Sequence, residues 1–267
     1  MNQLQTIAAS AGASTSHLSA NATPWLVPFG TTQKAARLRL YCFSYAGGSA
    51  SIYQPWRKLL DPSVELFAVQ LPGRGARMSE RPERSMHALV QTLASVISQQ
   101  SAKSFAFFGH SLGALLAFEL TRRLKVHQLK QPVKLIVSGC AAPQARNDLE
   151  PLDEYDDDKL IERLSKYNGT PPEVLQHREL MRLLAPTIRA DFALASEYAY
   201  RAGPLLNMPL TALAGTTDDQ TSREQIETWG RETSGPFKQH WFEGDHFFIR
   251  PQFESVLRTV NTELEPF

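Results

Sequence analysis

The chain has 267 residues, of which 42% are hydrophobic and 21% are charged, and its formal net charge is +1. This composition is typical of globular proteins, and a chain of this length can bury a sizeable core. A charge so close to neutral excludes an overall electrostatic field that would attract nucleic acid or a membrane surface. We therefore expect neither as a partner.

The two cysteines and the N-terminal segment bear on the cellular compartment. Cys42 and Cys140 both lie in apolar segments, which predicts two buried thiols and a reducing environment. The first 22 residues are rich in Ala, Ser and Thr, and the first basic residue is Lys34, so the segment resembles neither a secretory signal nor a transit peptide. We predict that residues 1–22 form a disordered extension and that the protein is cytoplasmic.

Short apolar runs alternate with helical patterns along most of the chain. Because the runs are nearly continuous in apolar residues, they are typical of parallel strands that are covered on both faces. The alternation predicts an α/β protein with a mostly parallel central sheet flanked by helices. The predicted strands are Arg37–Phe43, Val64–Gln70, Phe105–Gly109, Val133–Ser138, Pro209–Ala214 and Lys238–Glu243, and the predicted helices are Met86–Ser98, Leu112–Lys125, Ser222–Arg231 and Pro251–Leu264.

The alternation stops between residues 141 and 202, where no strand is predicted. The segment opens with an acidic stretch, and a helical insertion of this kind is typical of a lid over a site at the strand ends. The alternative is a set of helices that adds to the core by packing on the sheet. We predict a lid over residues 141–202 and a core formed by residues 23–140 and 203–267, with helices at Asp157–Lys166, Pro172–Leu184 and Thr187–Tyr200.

One serine lies in a turn suited to a nucleophile. Ser111 is the centre of Gly109-His-Ser-Leu-Gly113, directly after a predicted strand and directly before a predicted helix. In a strand–turn–helix of this kind, small residues allow a sharp turn that exposes the hydroxyl at the helix N-terminus. The alternative is an ordinary turn serine. The context favours a nucleophile.

A nucleophilic serine needs a base, and the base needs an acid to orient it. Of the seven histidines, His246 lies just past the last predicted strand, whereas His110 adjoins the serine and is expected to orient the turn instead. Asp218 and Asp219 follow the strand Pro209–Ala214, although an aspartate there could also cap the next helix. The chain order Ser, Asp, His is that of α/β-hydrolases.

An oxyanion hole requires two backbone N–H donors. Leu112, after the serine, is one candidate, and Ala46 in the glycine-rich loop Ser44-Tyr-Ala-Gly-Gly-Ser49 is the other. A plain flexible turn and a phosphate-binding loop are the alternatives for residues 44–49. A phosphate loop is expected to carry a nearby lysine, and none follows.

Four stretches, together with residues of the predicted lid, carry a family resemblance. From about Trp25 to the C-terminus the chain resembles the type II thioesterases that work beside polyketide synthases and nonribosomal peptide synthetases. The matching stretches are Phe43-Ser-Tyr-Ala-Gly-Gly48, Val69-Gln-Leu-Pro-Gly-Arg-Gly-Ala-Arg77, Gly109-His-Ser-Leu-Gly-Ala114 and Gly244-Asp-His-Phe-Phe248, with Asn168–Leu175, Ile188-Arg-Ala-Asp191 and Tyr198 in the lid.

The resemblance implies an α/β-hydrolase fold with a helical lid. It also implies hydrolysis of acyl thioesters carried on the phosphopantetheine arms of carrier proteins, which clears aberrant or stalled acyl groups without a metal or redox cofactor. Ser111 matches the family nucleophile, His246 the base and Asp218 the acid. Three positions depart from the family pattern: Ser44 replaces proline, Gly75 replaces glutamate and Asp245 replaces glycine.

The loop Arg74–Arg84 carries four arginines after the end of a predicted strand. Arg74 and Arg77 are candidates to contact an acidic carrier protein or the phosphate of its arm. The alternative is a solvated loop with one structural arginine. We expect a transient complex with an acyl or peptidyl carrier protein and otherwise a monomer.

Two other functions remain open on the sequence alone. A small-molecule carboxylesterase or lipase would share the Ser–His–Asp arrangement and differ only in the leaving group. A catalytically inert, hydrolase-like binding protein would share the fold, although it would not need all three residues.

Overall fold

The structure is a computed structural model, and it describes residues 23–30, 36–100, 103–152 and 155–267. The predicted N-terminal extension, residues 1–22, lies outside the described residues. The strands are β1 (Leu26–Phe29), β2 (Leu38–Phe43), β3 (Val64–Val69), β4 (Ser104–His110), β5 (Lys134–Ser138), β6 (Leu210–Gly215) and β7 (Phe237–Phe242). The helices are α1 (Met86–Gln100), α2 (Leu112–Val126), α3 (Asp157–Lys166), α4 (Pro172–Gln176), α5 (Arg178–Ser196), α6 (Arg223–Glu227) and α7 (Phe253–Leu264).

The seven strands form one sheet in the order β1-β3-β2-β4-β5-β6-β7. Only β1 is antiparallel, pairing with β3 at the edge of the sheet, and every other pairing is parallel. The predicted mostly parallel α/β sheet is therefore confirmed. Strand β1 was not predicted, because an edge strand of four residues that include Pro28 gives little periodic signal.

The continuous apolar runs of the strands reflect a sheet that is covered on both faces. Side chains along a strand alternate between the two faces. In β4, Phe105 and Phe107 pack with α1 and α2, whereas Ala106 and Phe108 pack on the other face with α7. Each face needs apolar residues, so both alternating sets are apolar. Among the described residues, no helix combines the length and the apolar character that crossing a membrane requires.

The segment between β5 and β6 carries the helices α3, α4 and α5, which share a small apolar cluster of their own. The boundary predicted between two helices near residue 185 is wrong, because Pro186 lies inside α5. The helical segment is interrupted instead at His177, whose ring Nδ1 accepts the Leu180 N–H (3.2 Å) and caps the start of α5.

Because β2, β4, β6 and β7 are parallel, their carboxyl ends meet at one edge of the sheet. The loops that carry Ala46, Ser111, Asp218 and His246 each follow one of these strands. The topology therefore collects the residues that the sequence analysis singled out, although they are spread over 200 positions of the chain.

Candidate active site

Ser111 occupies a strained turn between the end of β4 and the start of α2. Its backbone has φ 54° and ψ −120°, a conformation that few residues other than glycine adopt. A Cβ at Gly109 would lie 2.2 Å from the Gly113 carbonyl oxygen, and one at Gly113 would lie 2.2 Å from the Phe43 carbonyl oxygen. Both glycines are therefore required for the backbone to turn this sharply, as the sequence predicted.

His246 and Asp218 meet on neighbouring loops. The His246 Nδ1 atom lies 2.9 Å from Asp218 Oδ2, and the Asp218 side chain is fully buried. The two loops approach closely because a glycine, Gly215, ends β6; a Cβ there would lie 2.4 Å from the Asp245 carbonyl oxygen. With Nδ1–H donating to the carboxylate, Nε2 is left free to accept a proton.

The Asp218 carboxylate is held as an anion. Burial by itself would raise the pKa of Asp218, but hydrogen bonds to the ionised form outweigh that effect and lower it below its usual value. These bonds come from His246, from the Gln220 N–H (2.8 Å) and from the Thr221 hydroxyl (3.0 Å). At neutral pH the carboxylate can therefore orient the imidazole and stabilise its charged form.

Ser111 and His246 line one cavity of about 410 Å³. Within the described part of the chain, no hydrogen bond joins the Ser111 hydroxyl to His246. Nucleophile–base contacts in unliganded enzymes are often long and tighten when substrate binds. Ala46 and Leu112 line the same cavity, and neither of their N–H groups has an acceptor among the described residues.

The loop that carries Ala46 is closed by its own hydrogen bonds. The Gly48 N–H donates to the Tyr45 carbonyl (2.9 Å), and the Ser44 hydroxyl donates to the Gly48 carbonyl (3.0 Å). Ser44 stands where the family pattern has proline. Its hydroxyl thus supplies a bond across the loop that a proline side chain could not make.

The other candidate side chains near Ser111 have different contacts. His110 is fully buried and its Nδ1 lies 2.9 Å from the Ser138 hydroxyl. Burial, with a smaller contribution from His246, lowers the pKa of His110 well below its usual value, so it stays neutral. Asp219 lines the cavity, and Asp245 accepts the Phe247 N–H (2.8 Å). Among the described residues, Asp218 is the only carboxylate that forms a hydrogen bond with the His246 ring.

The segment between β5 and β6 forms the other wall of the cavity. Leu164, Tyr167 and Phe192 from α3 to α5 line it with apolar and aromatic surface. Arg250 joins this wall to the core by donating to the Gly169 carbonyl (2.6 Å) and to the Tyr45 hydroxyl (2.5 Å). On the core side the lining includes Cys140, a buried free cysteine.

The carrier contact predicted for Arg74 and Arg77 is wrong. Both side chains are buried, with exposed fractions of 5% for Arg74 and 6% for Arg77. Arg77 stacks on the Trp25 ring and pairs with Glu80 (2.6 Å), whereas Arg74 forms a bidentate ion pair with Asp191. Guanidinium groups that are enclosed and paired in this way are not presented to a docking protein or a phosphate.

Asp191 is the residue near the site that the sequence analysis did not assign. It lies on the buried face of α5, three residues after Ile188 and three before Leu194. A carboxylate on the apolar face of a helix indicates a buried ion pair, because a charge at such a position is rarely left unpaired. The sequence contained that signal, but it did not identify the partner of Asp191, because Arg74 lies 117 residues earlier in the chain.

Comparison with known proteins identifies the family of the chain. The family model described as "Thioesterase domain" matches residues 38–264. The gramicidin S biosynthesis protein GrsT of Aneurinibacillus migulanus is 38% identical over 80% of this chain and 84% of its own length. Thioesterase PikA5 of Streptomyces venezuelae is 35% identical over 90% of this chain and 85% of its own.

Solved structures show the same fold. The type II thioesterase BorB from the borrelidin biosynthetic cluster superposes with a TM-score of 0.83 at 33% identity, covering 90% of this chain and 97% of BorB. The mostly parallel sheet with flanking helices is therefore the α/β-hydrolase fold of these proteins. Because the family model covers most of the sequence and relatives above 30% identity align along most of their length, the chain belongs to the thioesterase family.

Proposed function

We propose that this protein is an editing thioesterase of polyketide or nonribosomal peptide biosynthesis, in which a Ser111–His246–Asp218 triad hydrolyses acyl thioesters on the phosphopantetheine arms of carrier proteins. The observation that carries the proposal is the 2.9 Å contact between His246 and a buried, ionised Asp218, at the cavity that also holds Ser111 on its strained turn. The relatives named above support the substrate class.

The reaction proceeds through an acyl-enzyme. Ser111 Oγ attacks the thioester carbonyl carbon while its proton passes to His246 Nε2, and the carbonyl oxygen becomes an oxyanion facing the Ala46 and Leu112 N–H groups. The carbon–sulfur bond then breaks, and the pantetheine sulfur takes the proton from His246. A water molecule repeats the sequence, with its proton going to His246, and releases the acid while Ser111 recovers its hydrogen.

The surrounding segments have roles in this proposal. Residues 141–202 act as a lid that shapes the acyl-binding cavity, and residues 23–140 and 203–267 form the core. The mechanism requires no metal or redox cofactor. The carrier protein is a transient partner, and because its arm is long and thin, we expect the arm to reach Ser111 through a channel under the lid.

The first test is hydrolysis of an acyl-pantetheine thioester by the wild-type protein and by Ser111→Ala. We expect Ser111→Ala to lower kcat by about 10⁴-fold or more with an unchanged circular dichroism spectrum. Retained turnover by the variant would reject the mechanism.

Two comparisons separate the proposal from its alternatives. A carboxylesterase should prefer the oxoester over the thioester of the same acyl group, whereas an editing thioesterase should prefer the carrier-bound thioester. An inert binding protein should not react with a serine-directed fluorophosphonate, whereas we expect covalent labelling of Ser111.

A further inference from the structure

Asp191 and Arg74 form a buried ion pair between α5 and the loop that follows β3. The Arg74 Nη1 and Nη2 atoms lie 2.6 and 2.7 Å from the two carboxylate oxygens. The Arg74 side chain is 5% exposed and the Asp191 side chain 0%, so neither charge is solvated by bulk water. A pair buried this deeply requires its remaining hydrogen-bonding positions to be used as well.

The remaining hydrogen-bonding positions of Asp191 and Arg74 are used by the glycine-rich loop of residues 44–49, next to Ser111. The Gly47 N–H donates to Asp191 Oδ2 at 2.7 Å, and Arg74 Nη1 also donates to the Gly48 carbonyl at 3.2 Å. The ion pair therefore holds two successive residues of this loop. Gly47 directly follows Ala46, the candidate oxyanion donor.

These bonds determine where the Ala46 N–H points. In a planar trans peptide, the Tyr45 carbonyl and the Ala46 N–H point in opposite directions. The Tyr45 carbonyl is held by the Gly48 N–H (2.9 Å), and Gly48 is itself held by Arg74. The Ala46 N–H is thereby directed away from Gly48, and Ala46 lines the cavity beside Ser111.

We propose that Asp191 and Arg74 are positioning residues of the oxyanion hole, which fix the Ala46 N–H by holding Gly47 and Gly48. This inference rests on the proposed function, because it assumes that an oxyanion forms beside Ala46.

A threonine on the same helix provides a matched control. Thr187 is 4% exposed, lies one turn before Asp191, and its hydroxyl donates to the Gly73 carbonyl at 2.6 Å. Thr187 thus joins α5 to the loop that follows β3, and within the part of the chain that the structure describes it makes no hydrogen bond to the glycine-rich loop of residues 44–49. Thr187→Val removes a buried hydrogen bond between the same two segments and leaves Gly47 bonded.

The experiment compares Asp191→Asn, Arg74→Lys and Thr187→Val with the wild-type protein. For each we measure kcat and KM with a p-nitrophenyl acyl ester and with an acyl-N-acetylcysteamine thioester. We also measure the affinity for an alkyl trifluoromethyl ketone, which forms a tetrahedral oxyanion adduct with serine, and for a substrate thioether that lacks the carbonyl. Circular dichroism and thermal unfolding report whether each variant is folded.

We expect Asp191→Asn to lower kcat about 10- to 100-fold, as misplacement of one oxyanion donor would, with KM within about threefold of wild type. The trifluoromethyl ketone should bind more weakly by a similar factor, while thioether binding stays unchanged, because only the former has an oxyanion. Arg74→Lys should change the same quantities in the same direction. Thr187→Val should retain kcat within about threefold.

Three outcomes would overturn the inference. The first is a folded Asp191→Asn with wild-type kcat, and the second is a loss of kcat without weaker binding of the trifluoromethyl ketone. The third is failure of both ion-pair variants to fold, since the pair would then serve stability alone. A wild-type protein that hydrolyses the ester but no acyl thioester would reject the proposed function and leave this test intact, because both substrates form an oxyanion.

Discussion

Replacing Asp218 by asparagine tests whether Asp218 is the acid of the proposed triad. The carboxylate accepts three hydrogen bonds, from His246, from the Gln220 N–H and from the Thr221 hydroxyl. An asparagine has only one acceptor oxygen. If that oxygen keeps the Gln220 N–H, which cannot change direction, the amide NH₂ faces His246.

In Asp218→Asn, the His246 ring would therefore carry its hydrogen on the wrong nitrogen. An NH₂ group facing Nδ1 requires that nitrogen to be the acceptor, so the hydrogen moves to Nε2 and the ring can no longer accept a proton from Ser111. A loss of this kind lowers kcat by about 10⁴-fold, equivalent to ~5 kcal/mol of transition-state stabilisation. We expect KM to change much less, since the substituted side chain does not line the cavity.

The assay is hydrolysis of an acyl-N-acetylcysteamine thioester at pH 7, with Asp219→Asn as the matched control. Asp219 is the adjacent carboxylate and it lines the cavity, but in the described structure it is not bonded to the His246 ring. Its variant should stay within about threefold of wild-type kcat. The reasoning is refuted if Asp218→Asn retains a tenth of wild-type kcat, or if Asp219→Asn is the variant that loses activity.

Three further changes test the framework of the site. Gly113→Ala places a Cβ 2.2 Å from the Phe43 carbonyl oxygen, so we expect a loss of about 1–3 kcal/mol in urea unfolding together with lower kcat; wild-type stability would contradict the turn geometry. Glu263→Gln removes the negative charge that lies 2.5 Å from the buried Lys134 ammonium group and should cost about 3–5 kcal/mol at pH 7. The pKa of Glu263 in the folded protein is lowered to about 2. The stabilisation is therefore present above the ordinary pKa near 4.5 and is lost as the pH falls towards 2. A difference in the free energy of unfolding between wild type and Glu263→Gln that stays constant down to about pH 2.5 would refute this. Arg250→Ala removes the bonds between the cavity wall and the core and should raise KM more than it lowers kcat, whereas unchanged kinetics would show that these bonds do not shape the cavity.

The positions of Ser111, Asp218 and His246 could be predicted because each follows a strand with a local signal. A nearly continuous apolar run marks the strand, and the candidate residue comes a few positions after it, so short windows are sufficient. The parallel topology then brings the loops together without further information. The requirement for glycine at positions 109 and 113 was likewise readable, since the turn itself demands it.

The contacts made by Arg74 and Arg77 could not be predicted in the same way. A cluster of arginines on a loop has the same local pattern whether the side chains face solvent or are enclosed. Here Arg74 is enclosed by a carboxylate on a helix 117 residues away, and Arg77 by a tryptophan ring and a neighbouring glutamate. The helix boundary near Pro186 was also misplaced, because packing of α5 tolerates a proline that local propensity disfavours.

The thiol of Cys140 in the cavity wall bears on the chemical selectivity of the site. Burial raises the pKa of this thiol, and the nearby Arg146 offsets that effect only in part. A thiol, unlike a thiolate, is a poor nucleophile and does not attack disulfides. A thioesterase can therefore keep a cysteine in the wall of its cavity without losing the acyl group to that thiol by transthioesterification.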